Sequence, residues 1–126
     1  MRDLYSNIAA MPALAPAVQA AAGNGLSIDT LGAGRLAFVV NTGAIAGSGD
    51  FGVKLQESDT GTSGWTDVAA TQVDSTAPAT LAADSAYRLG YRGWKRYVRL
   101  ALTKASGTSI AAGATAVIVP QTRPAP

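Results

Sequence analysis

The densest chemistry in this chain runs through Tyr87-Arg88-Leu89-Gly90-Tyr91-Arg92-Gly93-Trp94-Lys95-Arg96-Tyr97-Val98-Arg99, where aromatic rings interleave with cations. Stacking rings beside cations suit single-stranded nucleic acid. Tyr, Trp and Arg are equally the types that dominate protein interfaces. A plainer alternative is a solvated strand–turn–strand whose arginine stems cover the rings. Tight nucleic-acid binding draws on several phosphate contacts, and a net charge of +2 is not a dense positive field. The stretch is therefore read as a protein-binding surface with Arg88, Tyr91, Arg92, Trp94 and Arg96 as its contacts, and no nucleic-acid partner is expected.

The chain has neither histidine nor cysteine. Disulfides, thiolate nucleophiles, iron–sulfur clusters, ordinary zinc sites and histidine-based triads are excluded by composition. Eight carboxylates and three lysines remain for acid–base work. Asp59/Asp67 and Asp74/Asp84 are the pairs to consider, but both fall in turns, and nothing in the spacing brings either within the ~5–10 Å that glycoside hydrolysis needs. Ser58-Asp59-Thr60-Gly61-Thr62-Ser63-Gly64-Trp65 loosely resembles an Asp-box hairpin, in which an aspartate accepts backbone N–H bonds and glycine supplies positive φ. A calcium loop needs several acids at alternating positions. Only Glu57, Asp59 and Asp67 are near, so the hairpin is read as structural, with Trp65 over the edge of the core. Leu31-Gly32-Ala33-Gly34-Arg35 leads into a strand and lacks a third glycine, so it is a turn and not a dinucleotide fingerprint. No catalytic residue, metal or cofactor is expected, and the chain is read as a non-enzyme.

These residues must be carried by short strands. The chain has 126 residues, 48% of them apolar and only 14% charged, with mean hydropathy +0.17. Residues 1–25 are Ala-rich and hold Pro12 and Pro16, which disfavour helix. They are read as an extended N-terminal arm with a short helical turn near Leu4–Ala10. Leu4, Tyr5, Ile8, Met11, Leu14 and Val18 are too apolar for a solvated tail, and the first five are its candidate contacts. No signal peptide or membrane span fits Leu4–Ala22, whose apolar content is mostly alanine. Residues 26–120 show seven or eight short apolar runs at roughly 8–12-residue spacing, the pattern of an all-β sandwich, jelly-roll-like or barrel-like domain. The expected core is Leu36, Phe38, Val40, Phe51, Val53, Leu55, Val98, Leu100, Leu102, Val117 and Val119. Asn41–Asp50 and Lys104–Gly113 are read as loops, and residues 121–126 as a Pro-capped tail.

The run Phe38-Val39-Val40-Asn41-Thr42-Gly43-Ala44-Ile45 carries a likeness to a known group. So do Val53-Lys54-Leu55-Gln56-Glu57-Ser58-Asp59, Trp65-Thr66-Asp67-Val68, Leu89-Gly90-Tyr91 and Lys95-Arg96-Tyr97-Val98-Arg99. Met1-Arg2-Asp3-Leu4, Ser6-Asn7 and Arg123-Pro124-Ala125-Pro126 extend the likeness over nearly the whole chain. In these pieces the chain resembles a family of small tailed-bacteriophage proteins encoded among head genes. It departs from that pattern at Thr62-Ser63-Gly64, a longer and more glycine-rich loop. The resemblance implies a virion structural protein, most plausibly a capsid decoration (cement) protein. It would bind the major capsid protein on the capsid exterior as a homo-oligomer, a trimer being the expectation, after assembly in the host cytoplasm. Two alternatives stand beside it. One is another virion role, in the tail or the head–tail connector. The other is a carbohydrate-binding β-sandwich with Trp65, Trp94 and Tyr91 as its stacking platform.

Overall fold

Strands that alternate apolar and polar residues, as Leu36, Phe38 and Val40 do, bury one face only if a second sheet covers it. The computed structural model, which describes residues 3–121, shows that arrangement. The strands are β1 (Ala9–Gln19), β2 (Gly23–Asn24), β3 (Ile28–Asp29), β4 (Ala33–Ala46), β5 (Asp50–Ser58), β6 (Thr66–Asp67), β7 (Val73–Ser75), β8 (Ala86–Tyr91), β9 (Tyr97–Ser106) and β10 (Ser109–Pro120). One sheet, called A, has the order β1-β10-β4-β8-β7; the other, B, has β2-β9-β5-β6, with β3 also pairing β9. All pairings are antiparallel, and the two sheets pack face to face without closing into a barrel. The fold is thus an all-β sandwich, as the strand spacing implies. Short 3-10 turns at Tyr5–Asn7 and Ala70–Gln72 are its only helical pieces among the described residues.

Residues 9–19 are not a separate arm. They form the long edge strand of sheet A, running along β10 from Ala9 opposite Ile118 to Gln19 opposite Ile110. Ala13 and Leu14 enter the main core cluster. Pro12 and Pro16 break the register at two places, and proline is tolerated in a sheet at edges and irregularities. The chain then crosses to sheet B, which it joins at β2, and at Gly25 it touches both sheets. The Gly25 N–H donates to the Leu100 carbonyl and the Leu26 N–H to the Ala13 carbonyl, stitching both sheets together on this side. A Cβ at Gly25 would collide with that Ala13 oxygen, so only glycine fits there.

Two expected loops shorten to tight turns. β4 runs on to Ala46 and β9 to Ser106, leaving Gly47–Gly49 and Gly107–Thr108 as the connections. Gly107 adopts φ +84 with the backbone of Ser48 and Gly49 against it, so the two turns nest at one end of the sandwich.

The core differs from expectation on β10. Ala112, Ala114, Ala116 and Ile118 face inward, and Val117 and Val119 lie half-buried on the outside. Ala116 stands opposite Phe38 and Ala114 opposite Val40 on β4, so the small residues fit beside the bulky ones already filling the interior. Leu89 and Leu81, which the expected core did not include, are also fully buried.

Candidate interaction surface

The aromatic-basic stretch folds into β8, a connecting loop and β9 at the end of the sandwich where β4 begins and β10 finishes. Most of its charge is spent inside the molecule. Arg92 pairs with Asp74 at 2.9 Å, Lys95 with Asp59 at 2.9 Å, and Arg96 grips Asp29 with two nitrogens. The Arg96 hydrogen bonds hold the Asp29 carboxyl below the ordinary carboxylate range. Arg99 lies 4.2 Å above the Trp65 ring and donates to Gln56. Gln56 and Lys54 in turn hold Asp67, whose carboxyl is likewise lowered, chiefly by Gln56. Trp65, Arg99, Gln56, Asp67 and Lys54 thus clothe the outer face of sheet B in a polar network.

Tyr91 is half-buried and turned inward. Opposite Leu36, it faces the interior of sheet A and reaches across to sheet B. Its hydroxyl donates to Glu57 at 2.7 Å and accepts the Lys95 N–H at 3.0 Å. Burial, and then the Glu57 bond, push that hydroxyl up to about 12. Tyr91 is a strut that closes the core at this end. With Tyr91 turned inward and the Trp65 ring capped by Arg99, Trp65, Trp94 and Tyr91 do not share one stacking platform.

The Ser58–Trp65 hairpin is structural, but serine organises it. The buried Ser58 hydroxyl accepts the N–H groups of Thr60 and Gly61 and donates to the Ser63 carbonyl. Asp59 instead faces Lys95. The carboxylates of both candidate acid pairs are likewise apart in role: Asp74 is held by Arg92, and Asp84 sits in the loop whose N–H meets the Gly43 carbonyl.

Of the arm residues, Leu14 is a core residue, 8% exposed, because β1 turns it inward. Ile8 is half-buried and Met11 is exposed near the 37% level. Leu4 and Tyr5 are bare, at 65% and 88%. They emerge at the end of the sandwich that also holds Leu31 and Trp94, exposed at 75% and 76%. Trp94 lines a depression of about 220 Å³ there with Thr30, Arg35 and Tyr91. Met1-Arg2 and Arg123-Pro124-Ala125-Pro126 lie outside the described residues; Gln121 closes on the Gly32 carbonyl.

Sequence reasoning missed the outer face of sheet A. Register puts Ala37 and Val39 of β4 beside Val117 and Thr115 of β10 and beside Gly90 and Arg88 of β8. Val119 stands beside Arg35, and Ala10 and Pro12 of β1 extend the row. The centre is half-buried by its own neighbours, while Arg35 and Arg88 are exposed. Where β1 passes Gly43, Ala111 and Gly113, the same face sinks into a groove of about 530 Å³. Sheet A is therefore small and apolar outside, and sheet B is polar outside. The run Ala114–Pro120, apolar but for Thr115, hid which of its two faces turns outward.

Comparison with protein-family models and with curated proteins finds no match for this chain. No helix among the described residues is long and apolar enough to cross a membrane.

Proposed function

We propose that this chain is a bacteriophage capsid decoration protein that binds and stabilises the shell without catalysing a reaction. The observation that carries this reading is the gathering of bare Leu4, Tyr5, Leu31 and Trp94 at one end of a sandwich whose ion pairs are otherwise satisfied internally. Exposed apolar groups of this size mark contact sites. The sequence resemblance to small phage head-region proteins supplies the kind of partner. Leu4 and Tyr5 lead into β1, so a segment as short as residues 3–8 can be laid on a neighbour while the strand anchors it.

The test is sedimentation of the protein with purified, expanded, undecorated shells of the phage that encodes it. Saturable binding with a rise in shell melting temperature is the expected result. A protein that stays in the supernatant at every concentration overturns the reading.

A further inference from the structure

We infer that the outer face of sheet A is a docking surface for a folded protein that presents carboxylates around an apolar patch. The inference rests on the decoration reading for the identity of that partner, the shell protein, and adds a contact surface separate from the Leu4–Trp94 end.

The argument starts with charge. Lys54, Arg92, Lys95 and Arg96 each hold an aspartate. Arg99 holds Gln56 and covers Trp65. Lys104 donates to the Ala20 carbonyl. Arg99 and Lys104 also lack an acid but are held by these other contacts, whereas Arg35 and Arg88 are the described cations whose side chains have neither an ion pair nor a hydrogen bond, and β-register puts both on the same face of the same sheet. They flank Ala37, roughly 13 Å apart along the strand direction at about 3.3 Å per residue. Asp74, beside Gly90 at the margin of this face, is already taken by Arg92.

The ground between the arginines is what a protein partner needs. Ala37, Val39, Val117 and Val119 offer a shallow apolar surface of small side chains that a flat partner can approach closely. A depression of about 370 Å³ beside Arg88, floored by Ala37 and Gly90, leaves room for an inserted side chain. A second copy stacked face to face would oppose arginine to arginine with no free carboxylate. A nucleic-acid strand would find two cations and no exposed ring on this face, too few for the phosphate contacts it requires.

The experiment measures binding to undecorated shells by sedimentation, comparing wild type, the double variant Arg35→Glu/Arg88→Glu, and Lys54→Glu on the opposite face. Both arginines are exposed, so the reversal leaves the core intact; thermal melting of the free variants checks this. The double reversal is expected to weaken binding by about a hundredfold, since like charges now meet across the contact. Lys54→Glu is expected to stay within about threefold, as surface pairs contribute little. Weakening of about tenfold by Lys54→Glu, half the double variant's effect on a logarithmic scale for half its change of charge, means that only net charge matters and overturns the inference. Wild-type binding that survives the double reversal overturns it while leaving the decoration reading standing. Failure of the wild type to bind overturns both. Arginine-dependent binding to single-stranded DNA in place of shells also overturns the inference.

Discussion

Ser58 and Tyr91 show how individual polar groups end this sandwich. Each sits where strands stop and backbone groups would otherwise be unpaired, and each satisfies several partners at once. Tyr91 has a consequence that can be titrated. Its hydroxyl is raised to about 12 in the fold, against about 10 in an unfolded chain. The folded state therefore favours the neutral phenol. Its contribution is fully present below about pH 10 and is lost as pH rises through about 12. Tyr91→Phe removes the Glu57 and Lys95 partners and is expected to cost about 1 kcal/mol at neutral pH. The wild type should lose stability between pH 10 and 12 more steeply than the variant does. Denaturant melts at intervals across that range check this, and parallel curves for the two proteins would refute the strut role. The residue type was legible as polar chemistry in the sequence, but its direction was not. Tyr91 could be an interface ring or an internal brace, and only the strand phase, with Leu36 across from it, decides.

At the scale of elements, the strands with clean alternation were legible: Leu36, Phe38 and Val40, or Val98, Leu100 and Leu102, face inward as their period demands. β10 was not, because a run of alanine and valine reads the same in either phase. β1 was not, because two prolines look like an irregular arm until the strand is seen to lie at a sheet edge. There the prolines have a function of their own. β1 is the one long edge strand among the described residues, the other edge strands being β7, β2, β3 and β6, of two or three residues each. Long edges with free N–H and C=O groups recruit further strands, and proline is a means of blunting them. Pro12 is exposed, so Pro12→Thr should leave the melting temperature within a few degrees while promoting self-association through β1. Light scattering and size-exclusion elution against concentration measure it. A variant no more associated than wild type at every concentration would show that the edge is protected in some other way.

The whole molecule has a direction. One end nests the Gly47 and Gly107 turns, while the other gathers bare Leu4, Tyr5, Leu31 and Trp94 and the lead into β1. One face is knit by Lys54, Asp67, Gln56 and Arg99, and the other is small and apolar between two unpartnered arginines. That asymmetry depends on which side of each strand faces out and on which residues the topology brings to one end, so it could not be read along the chain. It also determines how the N-terminal segment must be tested. Removing residues 1–16 would take Ala13 and Leu14 out of the core and strip β10 of its neighbour, and lost function would then report only lost folding. Removing residues 1–8 stops short of β1. The shorter deletion is expected to melt within a few degrees of wild type and to bind shells at least about tenfold more weakly, as loss of anchors such as Leu4 and Tyr5 costs more than about 1 kcal/mol. The longer one should lose cooperative melting altogether. If the shorter deletion keeps full shell occupancy at wild-type affinity, the segment is dispensable and attachment must run through the faces of the sandwich instead.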